Sequence, residues 1–341
     1  MLSRVANSLY WMSRYIERAE NISRIVDVNM QLLLDFRQAG TQRSDNHWLP
    51  IIQATGDDAL FFKSHKEVNS HTVRDFLSFQ ASNPNSLITC IGLARENARV
   101  VRDQITLEVW EEINRIYLYL QSTQARELWN SSPTDFYHEI SFSSLYLQGL
   151  CDATIPHTEG WLFMQAAKYL ERADKATRIL DIRHASLPAK GMPDKPLDPH
   201  EALEWAAVLR SCSAWDAYRQ AHGADITPRR IADFLVLSED FPRSVEFCVL
   251  ALDTALRRIS GVQSGRFSNE AEKLSGRLLA ELQFSGIEDI FAYGFHDYMD
   301  LLQQRFNQIG EALFAAYIFQ PFNAGDDELQ QQQQQQQQVC R

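Results

Sequence analysis

Two Glu-Arg steps carry the densest chemistry in this chain. Tyr15-Ile16-Glu17-Arg18-Ala19-Glu20-Asn21-Ile22-Ser23-Arg24 returns in close copy as Tyr169-Leu170-Glu171-Arg172-Ala173-Asp174-Lys175-Ala176-Thr177-Arg178. At helical spacing Tyr10, Arg14, Glu17, Asn21 and Arg24 fall on one polar stripe. A glutamate beside guanidiniums can move a proton while the arginines steady an oxyanion, which makes Glu17 and Glu171 the catalytic candidates. The same side chains could hold an anion or a carboxylate through Arg14, Arg18, Asn21, Arg24, Arg172, Asp174 and Arg178. They could equally form a buried ion network between helices. Exposed intrahelical pairs are worth only about 0.2–0.5 kcal/mol each, so plain solvation accounts poorly for the recurrence.

A third stripe lies in Ala94-Arg95-Glu96-Asn97-Ala98-Arg99-Val100-Val101-Arg102-Asp103. Arg95, Arg99 and Arg102 share a face, and they repel unless carboxylates or a bound anion neutralise them. The repeated glutamates could do so. In the second copy, however, Arg95 becomes Asp253, Glu96 becomes Thr254, Asn97 becomes Ala255 and Arg102 becomes Ser260; only Arg99 survives, as Arg257. A feature that merely holds a repeat together should occur twice, so this stripe is expected to be a single anion or carboxylate site. Glu159, in His157-Thr158-Glu159-Gly160-Trp161, is placed to favour the positive end of a helix and joins the binding candidates.

Other chemistry is missing. There is no phosphate-binding GxxxxGK loop, no GxGxxG and no GxSxG. No Glu-x-x-His occurs, and only Asp135/His138 and Asp181/His184 have that spacing with the shorter acid. No metal centre and no cofactor are expected.

These residues need long helices to position them, and the sequence supplies them. Glycine (14) and proline (11) are sparse and fall between amphipathic segments. Apolar residues recur at three- and four-residue steps from Ser3 to about Arg37, then near 86–105, 107–130, 134–152, 158–185, 200–221, 243–262, 269–284 and 287–319. Shorter helical stretches lie around 57–65, 70–80 and 228–237. The expected fold is an all-α, multi-helix bundle.

The Glu-Arg segments match at an offset of 154. Val73-Arg74-Asp75-Phe76-Leu77 matches Ile231-Ala232-Asp233-Phe234-Leu235 at 158, with Pro84, Ser86 and Cys90 parallel to Pro242, Ser244 and Cys248. Two divergent tandem repeats are therefore expected, 1–156 and 157–320. They precede an acidic, disordered tail at 321–341 that holds Gln330 to Gln338.

With Lys+Arg at 33 against Asp+Glu at 44, the net charge of −11 speaks against a nucleic-acid partner and against an electrostatic membrane anchor. No apolar run is long enough to cross a bilayer. The five cysteines stand far apart, without CxxC pairs, as buried reduced thiols would. The N-terminus lacks a signal-peptide pattern, so a cytoplasmic location is expected.

Ser3 to Asn21 resembles the opening of the bacterial alpha-E family. Asn83-Pro84-Asn85-Ser86, Ala94 to Asp103, His157 to Asp174 and Glu204 to Tyr218 resemble it too, in the same order; Pro156 before His157 departs from the pattern. The resemblance implies an all-helical protein of unestablished activity. It also implies encoding beside a circularly permuted ATP-grasp ligase and often a transglutaminase-like protein. From this follows an expected accessory or substrate-binding subunit of an amide- or peptide-bond-forming, or peptide-modifying, system. An enzyme using a glutamate beside arginines and a purely structural scaffold are the alternatives.

Overall fold

The structure, a computed structural model, describes residues 1–38, 45–183, 187, 197–223, 225–263 and 265–318. Among these the chain is helical throughout, with sixteen α-helices, one 3-10 turn at Asp45–Trp48 and no strand. The expected tail at 321–341, His184 and residues 188–196 lie outside the described residues. No described helix is long and apolar enough to cross a membrane.

Two long helices form the axis, α1 (Ser3–Gln38) and, later in the chain, α9 (Glu159–Asp181). Between them run α2 (Leu49–Thr55), α3 (Asp58–Ser64), α4 (Ser70–Ser78), α5 (Leu87–Val100), α6 (Leu107–Gln121), α7 (Thr123–Ser131) and α8 (Pro133–Thr154). After α9 come α10 (Pro199–Ser211), α11 (Trp215–His222), α12 (Pro228–Leu237), α13 (Val245–Ser260), α14 (Glu270–Phe284), α15 (Ile287–Tyr293) and α16 (Phe295–Tyr317). Helix α1 packs on α9, α5, α8 and α10, while α9 packs on α1, α13 and α16.

The middle of α1 is therefore enclosed on all sides. Except for Arg24, every residue from Ala19 to Asn29 is buried. An enclosed helix cannot turn a polar stripe to water, so its charges must find partners inside. Close approach of the two axes needs a small residue: a Cβ on Gly160 of α9 would lie 2.9 Å from Met1 Cε and 3.0 Å from Leu9 Cδ1.

The surrounding helices contact one another in parallel fashion. In one half α1 meets α5 and α8, α5 meets α6, and α6 and α7 meet α8. In the other, α9 meets α13 and α16, α13 meets α14, and α14 and α15 meet α16. The caps correspond as well. Ser86 and Ser244 accept from the third backbone N–H of α5 and α13, and the Cys90 and Cys248 thiols lie against the Pro84 and Pro242 carbonyls.

Candidate functional site

At the α1–α9 crossing the two Glu-Arg steps exchange partners. Arg172 donates to Glu17 from Nε at 2.7 Å and from Nη2 at 3.0 Å. In return Arg18 donates to Glu171 from Nε at 2.7 Å and from Nη2 at 2.9 Å. Each is a two-pronged guanidinium–carboxylate pair, the strongest geometry of its kind. Arg14 adds an Nε bond to Glu171 at 2.6 Å and donates to Tyr10 Oη at 2.9 Å. Glu17 and Glu171 are 1% and 0% exposed.

The network extends along both helices. Arg24 and Arg243 both bind Glu20, the latter through two bonds of 3.0 Å, and Arg178 and Lys175 bind Asp174 at 2.9 and 3.1 Å. Arg18 also reaches Asn85 Oδ1 at 2.9 Å, and Asn85 passes the chain to Asp57. Asn21 turns inward and donates to the Glu17 carbonyl. Seven cations (Arg14, Arg18, Arg24, Arg172, Lys175, Arg178, Arg243) thus surround four carboxylates (Glu17, Glu20, Glu171, Asp174).

That surplus sets the ionisation. Burial alone would raise the Glu171 carboxyl, but Arg18, Arg14 and Lys175 override it and hold the group well below the carboxylate range. Burial opposes ionisation of Glu20 too, and Arg243 and Arg24 bring it to about 2. Neither group carries a proton to give near neutral pH.

The third stripe is elsewhere. Helix α5 buries Ile91, Ala94 and Ala98 and turns its arginines outward. Arg95 donates to Asn114 at 2.7 Å and to Glu96 at 3.1 Å, and its guanidinium lies 4.6 Å from the Tyr117 ring centre. Arg99, 66% exposed in its side chain, pairs with Glu96 at 2.6 Å. Arg102 lies past the helix end, 5.2 Å from the Trp110 ring centre, and Asn97 bonds back to the Leu93 carbonyl. The partners of this stripe are local, on α5 and α6, and not the glutamates of α1 and α9. Glu159 opens α9, its carboxylate 2.9 Å from the Met1 amino group.

Several participants escaped sequence reasoning, among them Lys175, Asp57, Arg243, Lys168 and Gln148. In the expected repeat register Arg243 stands where the first half has Asn85, and Lys168 where it has Arg14; these mismatches were the available signal. Gln148 of α8 gave none. Its amide donates to Glu17 and accepts from Arg172, both at 3.0 Å. Lys168 and Gln148 line a cleft of about 560 Å³ between α8, α9 and α13, in the size range of small-ligand sites.

The family model that matches residues 1–318 is Alpha-E, described as a predicted alpha-helical domain with a conserved ER motif. Glu17-Arg18 and Glu171-Arg172 are such steps. Similar curated chains include an uncharacterised protein of Mycobacterium bovis and one of Mycobacterium tuberculosis, each 24% identical over 84% of this chain. The match covers 33% of each relative, so the chain spans about a third of their length. No solved structure matches.

Proposed function

Since the chain belongs to the Alpha-E family, and its Glu-Arg steps are engaged with one another, we propose that it acts as a helical accessory or substrate-binding subunit. The observation carrying this reading is the state of Glu17 and Glu171, buried and committed on both oxygens to arginines and an amide. A general acid needs a carboxyl that holds its proton near the working pH. Glu171 is held far below that, which favours binding over glutamate catalysis.

The system it serves is an amide- or peptide-bond-forming, or peptide-modifying, one in the cytoplasm. Its partners are a circularly permuted ATP-grasp ligase and a transglutaminase-like protein, as the family resemblance implies. Surplus positive charge around the network supports an anionic or carboxylate substrate. The parallel contacts and caps of the two halves support a tandem duplication, with repeats at 1–156 and 157–320.

Affinity purification from the native host, with mass spectrometry of what is retained, tests the partnership. Stoichiometric recovery of an ATP-grasp ligase, whose turnover rises when this chain is added, is the expected result. A solitary chain that leaves the ligase unchanged would remove the accessory role. Arg95→Lys and Arg99→Lys then probe the outward stripe: lost ligase activity with unchanged melting makes it a functional surface.

A further inference from the structure

The cleft between α8, α9 and α13 contains a cation that makes no ion pair among the described residues. Lys168 is half-buried, and among the described residues no carboxylate comes within ion-pair distance of it; Glu17 and Asp152 act on it only from farther away. Its nearest aromatic is its own neighbour, with Nζ 4.5 Å from the Tyr169 ring centre. The corresponding position in the first half, Arg14, has Glu171; Lys168 does not, because Glu17 is taken by Arg172 and Gln148. A half-buried ammonium without a direct partner is unfavourable, and an anionic ligand would relieve it.

The cleft wall defines what such a ligand looks like. Trp161, Tyr169, Phe247 and Leu250 give an apolar side, and Gln165 offers an amide that makes no hydrogen bond within the described residues. Arg258, exposed at the rim, adds a second positive charge. A phosphate site would gather backbone N–H groups at a helix start or several guanidiniums, and this cleft has neither. With Gln148 committed to Glu17 and Arg172, the half-buried ammonium of Lys168, the free amide of Gln165 and an aromatic wall match a carboxylate with a peptide bond and a side chain behind it, seated away from Asp152, the carboxylate on the lining.

We propose that this cleft binds the C-terminal carboxylate of a short peptide or acylated amino acid, with Lys168 as its counter-ion and Gln165 bonded to its amide. The proposal names a site and ligand class for the binding-subunit reading and rests on it only for that class.

Binding is then linked to protons. Burial and the like charge of Arg172 lower the Lys168 amine to about 8. Glu17 from α1, Asp152 and Cys151 from α8, and Arg258 and Cys248 from α13 complete the groups around it. A carboxylate favours the charged amine, so the ligand binds best below that value and above it must bring a proton in.

Calorimetry on the full chain, without any partner, decides. The probe is acetylated alanyl-phenylalanine with a free carboxylate, against the same dipeptide as its C-terminal amide. Expected are saturable binding of the acid, amide binding weaker by about tenfold or more, and a similar loss from pH 7 to pH 9.5. Lys168→Met should lose about tenfold as well. Gly149→Leu should block the site with the lysine intact, since a Cβ there meets nothing within 4 Å and the residue lines the cleft. Equal binding of acid and amide, wild-type affinity in Lys168→Met, or no binding by the folded wild type at millimolar probe would each overturn the proposal. Should Lys168→Met fail to fold, the acid–amide comparison and the pH profile decide on the unaltered protein. Failure to recover a ligase bears on the partnership and leaves this result standing.

Discussion

A buried carboxylate surrounded by guanidiniums stabilises a fold only while every member is present. Glu171→Gln keeps the shape but leaves Arg14 and Arg18 facing a neutral amide in the interior. Losing one partner of a buried pair costs about 3–5 kcal/mol, and urea denaturation of this variant should show a deficit of that order. The pH dependence has a definite sign. Glu20 is lowered to about 2 from its ordinary value of 4.5, so its contribution is complete above about 4.5 and is lost as pH falls from there towards 2. Glu171 acts in the same direction. Melting temperature should therefore decline as pH drops below about 4.5, and Glu20→Gln should flatten that decline. The pairing of stripes was legible as one of two readings, because exposed pairs explain so little. Which residue completes each pair was not: Arg243 reaches Glu20 across 223 positions, and no local pattern announces that.

Helices were the most legible scale, and their interruptions the least. The stretch 107–130 divides at Ser122, whose hydroxyl accepts from the Ala125 N–H and starts α7. Removing that cap by Ser122→Ala should cost about 1 kcal/mol, measurable by chemical denaturation. The stretch 200–221 divides at Ser213, with φ at 51°, and 287–319 divides at Gly294, with φ at 115°. Apolar periodicity runs on through such joints because both flanking helices face one core. Gly294 also lies where a Cβ would come within 2.9 Å of Asp297 Oδ2. Gly294→Ala should thus destabilise by about 1–3 kcal/mol through backbone strain. Helix α2 was missed altogether, since seven residues beginning Leu49-Pro50 hold too few turns for a period to register. The outward direction of Arg95 and Arg99 was likewise hidden, as it depends on which face of α5 meets α1.

For the molecule as a whole, the all-α class followed from composition and period, while the site depended on the crossing of two helices more than a hundred residues apart in sequence. Lys168 shows the difference. Its neighbour Glu-Arg step was conspicuous, but its isolation arises only when α8 and α13 close around it and Gln148 occupies Glu17. Because the two halves share one buried network, scanning calorimetry should give a single transition whose calorimetric and van't Hoff enthalpies agree. Two separated melts would place the halves in independent domains.

The reciprocal pairs, Glu17 with Arg172 and Arg18 with Glu171, have the geometry of an isologous contact, in which each side offers the other the same groups. Between separate chains such a contact weakens on dilution. Here one backbone carries both sides, so each Glu-Arg step meets its counterpart at a fixed effective concentration set by the intervening helices. The two reciprocal pairs stay formed however scarce the protein becomes.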